Sequence, residues 1–147
     1  MTDDRLDRGL THVALGVTEL DRSLDFYARY AAMRPVHERT DPQTGRRVAW
    51  ISDGTRPFVI VLVEVERVEH PLLPIGHLGV GVDSREEVDR LAAQAHDEGR
   101  PVWGPTDSPE PVGYWALIGD PDDHTLEVSY GQEVALTVAG ALGQDRA

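Results

Sequence analysis

Thr11-His12-Val13-Ala14-Leu15-Gly16-Val17 and Gly76-His77-Leu78-Gly79-Val80-Gly81-Val82 are one pattern written twice, aligned without a gap at an offset of 65 residues (77 minus 12). Both stretches alternate with period two, which marks a strand with unlike faces. Val13, Leu15 and Val17 point one way, and His12, Ala14 and Gly16 the other. In the second copy Leu78, Val80 and Val82 oppose His77, Gly79 and Gly81. The branched apolar face suits packing under a helix. The histidine face carries small neighbours, and the room they leave favours a pocket.

Each copy continues in the same way. Thr18-Glu19-Leu20-Asp21 and Ser84-Arg85-Glu86-Glu87 read as capping boxes that open helices. Leu20, Leu24, Tyr27 and Ala31 form an apolar stripe in the first helix, and Val88, Leu91, Ala92 and Ala95 in the second. Gly99 is placed to stop the second helix. Arg34-Pro35-Val36 and Arg100-Pro101-Val102 come after the two helices at an offset of 66. Further strand-like runs are 48–51 and 58–65 in the first copy, 114–118 and 125–130 in the second. Turns at Ser52-Asp53-Gly54 and Asp120-Pro121-Asp122-Asp123 separate the last two strands of each copy. The fold class is α+β: strand, helix, then about three strands, twice over. Residues 1–8 are expected to be a flexible N-terminus, 9–70 the first module and 75–131 the second, with the boundary in His70-Pro71-Leu72-Leu73-Pro74. Residues 132–147 read as a tail or a short terminal helix.

Composition excludes several functions. With 26 acidic against 14 basic side chains the net charge is -12, which repels phosphate backbones and anionic lipid heads. Nucleic acid and membranes are therefore poor partners, and no apolar run approaches the ~20 residues of a membrane span. Zero cysteines rule out disulfides, thiolate metal sites and thiol nucleophiles. The acidic, polar N-terminus is unlike a secretory signal, and a cytoplasmic protein is expected.

His12 and His77 occupy equivalent positions, each on the face with small neighbours. In His124-Thr125-Leu126-Glu127-Val128-Ser129-Tyr130, Glu127 falls on the face opposite Leu126, Val128 and Tyr130. A carboxylate on an inner face needs a partner, and a metal is a good one. Two imidazoles and one carboxylate form a facial triad with open positions, suited to one divalent ion of Fe, Mn, Zn or Ni. His37, His70, His96 and His124 lack this pattern and read as surface or structural. Trp50, Trp103, Trp115 and Tyr114 are candidates to wall a pocket.

These stretches resemble the vicinal-oxygen-chelate superfamily, which includes glyoxalase I, bleomycin-resistance proteins, fosfomycin-resistance enzymes, methylmalonyl-CoA epimerases and extradiol dioxygenases. The resemblance runs from about Leu10 to Gly131. It is carried by the two quoted strands, by Leu-Asp-Arg-Ser-Leu-Asp-Phe-Tyr at 20–27 and by Asp-Pro-Asp-Asp-His-Thr-Leu-Glu-Val at 120–128. It implies fused βαβββ modules forming a cupped mixed sheet with helices outside, a homodimer, and metal ligands at His12, His77 and Glu127. The matching place in the first module is Val61 or Leu62, neither of them a ligand. Glu64 nearby is a candidate fourth ligand or base. Ala14 stands where fosfomycin enzymes carry threonine, 112–115 holds no acid-base histidine of the dioxygenase kind, and Asp123 stands where glycine is common.

The expected activity is metal-dependent chemistry on a small organic molecule with adjacent oxygens: a lyase, isomerase or dioxygenase. Glu64 and Tyr114 are the candidate proton-transfer groups. The alternatives are a non-catalytic protein that sequesters a drug or metabolite, as bleomycin-resistance proteins do, and a metal-stabilised structural or regulatory domain.

Overall fold

The period-two stretches become strands, and their parity decides which side chains face a helix and which do not. The computed structural model describes residues 6–143; residues 1–5 of the expected flexible N-terminus and 144–147 of the expected tail lie outside the described residues. The chain divides into two units, Met1–Pro71 and Leu72–Ala147. The first holds β1 (His12–Val17), α1 (Leu20–Ala31), β2 (Arg34–Thr40), β3 (Arg47–Ser52) and β4 (Val59–Glu64). The second holds β5 (Leu78–Gly81), α2 (Arg85–Asp97), β6 (Val102–Ser108), β7 (Gly113–Gly119), β8 (Thr125–Tyr130) and α3 (Val134–Leu142). The α+β reading holds, and the segment after residue 131, read as a tail or a short terminal helix, contains α3.

Both units have the same topology. The sheet orders are β1-β4-β3-β2 and β5-β8-β7-β6, with the first strand of each parallel to the last and the other pairs antiparallel. In the first unit α1 buries Leu20, Phe26, Tyr27, Tyr30 and Ala31 over a sheet face of Leu15, Val17, Ala49, Ile51, Ile60 and Leu62. Phe26 and Tyr30 stack with ring centroids 4.6 Å apart. In the second unit α2 buries Val88, Leu91, Ala92 and Ala95, the stripe read from the sequence, over Ala116, Ile118, Leu126 and Val128.

The helix ends show one agreement and one correction. Ser84 Oγ accepts from Glu87 N at 3.1 Å, as its capping box predicts, and Gly99 ends α2 at φ +75°. In α1 the N-cap is Glu19, which forms no side-chain cap. The orphan amide of Leu20 donates instead to Glu64 Oε2 at 3.3 Å, while Glu64 Oε1 accepts from Arg47 N at 3.2 Å. A carboxylate at a helix N-terminus is favoured both by the hydrogen bond and by the dipole. Glu64 is thus a long-range cap that ties α1 to the ends of β4 and β3. Replacing Glu64 with alanine is expected to lower unfolding stability by about 1–2 kcal/mol. Urea denaturation checks this, and Glu64→Gln, which keeps one acceptor oxygen, recovers part of the loss.

Candidate metal centre

Strand pairing fixes which residues share a face, because laterally paired residues and every second residue along a strand point the same way. In the second unit Gly79 pairs with Glu127 and Gly81 with Ser129 across β5 and β8. Leu117 pairs with Glu127 and Trp115 with Ser129 across β7 and β8. Trp103 then pairs with Leu117. His77 precedes β5 two residues before Gly79, so it falls on the same side. This face turns away from α2 and carries His77, Glu127, Trp103 and Trp115 over a floor of glycine.

Glu127 is 9% exposed. Among the described residues its carboxylate takes one long hydrogen bond, 3.5 Å from Gln132 Nε2. Opposite it, a Cβ added to Gly79 would lie 3.5 Å from Glu127 Oε2, and one added to Gly81 would meet nothing within 4 Å. The glycines leave space beside the carboxylate that any larger residue would fill.

His77 is exposed, and its Nδ1 lies 3.1 Å from the Pro74 carbonyl oxygen and 3.0 Å from that of Ile75. Carbonyl oxygens only accept, so Nδ1 carries a proton, and in the neutral ring Nε2 is the nitrogen with the lone pair. Orientation of a ring through its other nitrogen is the arrangement that metal-ligating histidines use. In the first unit His12 is also exposed, with Nδ1 2.9 Å from Thr11 Oγ1. It begins β1, pairs with Val59, and shares a face with Ala14, Val61 and Trp50. The register settles the counterpart of Glu127. Ala14, equivalent to Gly79, pairs with Val61, so Val61 stands where Glu127 stands in the second unit. Among the described residues of one chain, no three His, Asp or Glu side chains gather into a metal-holding cluster; His77 and Glu127 are carried by the second unit and His12 by the first.

Two candidates face the other way. Glu64 is an odd number of residues from Val61, pairs with Val17, and lies on the α1 side of its sheet, where it caps the helix. Tyr114 pairs with Tyr130 on the α2 side of its sheet. Its hydroxyl donates to Asp89, and the Arg85 guanidinium lies 4.6 Å above its ring while also bonding Asp107 at 2.7 Å. Neither side chain is on the face of the expected ligands. Trp103 and Trp115 are on that face, and Trp50 is on the His12 face. Trp115 Nε1 donates to Ser108 Oγ at 3.0 Å, so it presents its ring rather than its N–H. His37, read as surface or structural, pairs with Trp50 and packs on it at 4.9 Å between centroids, on the same face as His12. Nothing in the sequence marked it, since β2 has no apolar alternation. Asp123 takes φ +69°, the left-handed turn position that aspartate tolerates where glycine is common.

A family model described as the glyoxalase/bleomycin resistance protein/dioxygenase superfamily matches residues 9–128. The chain belongs to that superfamily. An uncharacterized protein of Pseudomonas aeruginosa, PA2024, is 36% identical over 126 residues, covering 84% of this chain and 89% of that one. Glyoxalase I of Leishmania major superposes with a TM-score of 0.69 at 21% identity, over 95% of this chain and 98% of that one. The fosfomycin resistance protein FosX of Listeria monocytogenes, in a form complexed with Mn(II) and 1S,2S-dihydroxypropylphosphonic acid, gives 0.67 at 18% identity, over 90% and 99%. These structures share the fold with this superfamily member. Among its described residues no helix is long and apolar enough to cross a membrane.

The hydrogen bond to Asp89 holds the Tyr114 proton and keeps its phenol above the usual tyrosine range. A raised folded value favours the neutral form, so this contact stabilises below the ordinary range and is lost as pH rises through the raised value. In an alkaline phenolate absorbance titration, the component removed by Tyr114→Phe is expected to ionise above about pH 10. Asp89→Ala should bring it down, and an unmoved component would contradict the pairing.

Proposed function

We propose that this protein is a metal-dependent enzyme of the superfamily, a homodimer of the cytoplasm, in which His12, His77 and Glu127 hold one divalent ion. The observation that carries this reading is the buried Glu127 carboxylate, answered among the described residues by a single long hydrogen bond and faced by glycine. A buried carboxylate without a countercharge is costly, and a bound cation offsets that cost. The donor set fits: His77 offers Nε2 because its Nδ1–H is committed to two carbonyls, and nitrogen-oxygen sets of this kind suit Fe, Mn, Zn or Ni. Such an ion supplies Lewis-acid polarisation to a substrate with adjacent oxygens.

The chain's own residues do the rest. Gly79 and Gly81 allow a small molecule to lie against the β5 backbone beside Glu127. Trp103 and Trp115 on that face, and Trp50 with His37 on the His12 face, give flat surfaces for an organic substrate. Proton transfer falls to neither Glu64 nor Tyr114, whose carboxylate and hydroxyl are occupied on the opposite sides of their sheets. The enzyme reading is therefore placed in metal chelation and charge stabilisation by the ligand set.

Isothermal titration of the tag-free chain with Mn(II) or Zn(II) tests this. Wild type is expected to bind, and His77→Ala or Glu127→Ala to weaken binding by at least about tenfold. Gly79→Val is expected to weaken binding while leaving the fold, because its branches fill the space beside Glu127; Gly79→Ala, in ordinary contact at 3.5 Å, should do less. Unchanged affinity in Glu127→Ala overturns the reading. Tight binding of organic ligands by a chain that takes no metal would favour the sequestering alternative.

A further inference from the structure

His124 is 2% exposed and ends the turn before β8. Its backbone is pinned on both sides: its N–H donates to Asp120 Oδ1 at 2.9 Å, and its carbonyl accepts from Asp120 N at 2.8 Å. The ring reaches across to the start of the second unit, where Leu72 N donates to Nδ1 at 3.0 Å. One residue on, Thr125 N donates to the Leu72 carbonyl at 2.7 Å. Both peptide groups of Leu72 are thereby clamped to the beginning of β8.

From this clamp a short arc, Leu72 to His77, leads into the candidate ligand. Gly76 folds back on it so closely that a Cβ would lie 3.2 Å from Leu72 Cδ2. Within the arc, the carbonyls of Pro74 and Ile75 take the His77 Nδ1–H. A backbone N–H only donates, so the Nδ1 of His124 is an acceptor and its ring lacks a proton there. A carbonyl only accepts, so the Nδ1 of His77 carries one. One arc therefore joins two imidazoles of opposite tautomer.

We propose that His124 is a positioning residue for His77: by holding Leu72 it fixes the arc whose Pro74 and Ile75 carbonyls orient the His77 ring and keep Nε2 free for a ligand. The role of His77 as a ligand rests on the proposed function above; the control of its tautomer by His124 does not. Groups that hydrogen-bond a metal ligand directly, as the Pro74 and Ile75 carbonyls do His77, typically change affinity by about 10–100-fold when lost, and His124 acts one step behind them. A buried histidine whose sequence context reads as surface or structural thus prepares a functional one.

The test uses the full, metal-free chain labelled with 15N-histidine, the His77 signals being assigned by their loss in His77→Gln. Long-range proton–nitrogen correlation spectra report which nitrogen is protonated. Wild type is expected to show the proton of His77 on Nδ1. His124→Asn places an amide oxygen close to the position of Nδ1, keeps the Leu72 N–H bond, and should retain both that tautomer and wild-type Zn(II) affinity. His124→Leu removes the acceptor and should lose the Nδ1–H tautomer and weaken Zn(II) by about tenfold, the lower end of the range for groups bonded directly to a ligand. Should the leucine chain not fold, His124→Gln, whose oxygen sits one bond further out, is read in the same way. A folded leucine or glutamine variant with the His77 tautomer unchanged overturns the proposal. If wild type binds no Zn(II) yet the tautomer depends on position 124, the ligand reading fails and the positioning of His77 stands.

Discussion

A carboxylate in the middle of a strand, 9% exposed, is the constraint around which the second unit is arranged. Taking such a group out of water in its ionised form costs several kcal/mol unless a cation or several donors answer it. Here the described residues supply one long bond from Gln132, and glycine at 79 and 81 clears the space opposite. The parallel pairing of β5 with β8 sets Gly79 beside Glu127 and leaves His77 two residues along the same face. A one-residue slip in that pairing would turn the carboxylate's neighbours to the helix side. Hydrophobic packing of Leu126 and Val128 under α2 prevents the slip, so core and site are fixed by the same register.

The first unit repeats the architecture with different equipment. Its opening strand keeps the histidine and the small neighbours, but Val61 replaces the carboxylate. Its acid, Glu64, has gone to the other side of the sheet, where it closes the N-terminus of α1. The two copies therefore share a fold and divide the candidate ligands unequally, one from the first unit and two from the second. Duplication explains why equivalent histidines recur; it does not require that every position keep its chemistry.

Much of this was readable from the chain itself. The face of His12 and His77 came from alternation alone, because Ala14, Gly16, Gly79 and Gly81 contrast so sharply with the branched residues between them. The stripe of α2 and its Ser84 cap were equally local. Other features were not local. The cap of α1 comes from Glu64, 44 residues away from Leu20, and no capping-box spacing announces it. Tyr114 looked available because its face depends on pairing with β8, which sequence spacing does not specify. The edge strands β2 and β6 carry no clean alternation, which hid the pairing of His37 with Trp50. His124 was indistinguishable from a surface histidine until its contact with Leu72 was visible, since that bond joins two distant stretches of the second unit.

Whether a metal answers the burial of Glu127 is decided by metal content per chain, measured by mass spectrometry on protein purified without chelators and freed of any histidine tag. About one divalent ion per chain is expected in the wild type, and none in a folded Glu127→Gln variant, whose neutral amide no longer needs a cation. A wild type that remains metal-free after incubation with Mn, Fe, Ni and Zn would contradict this.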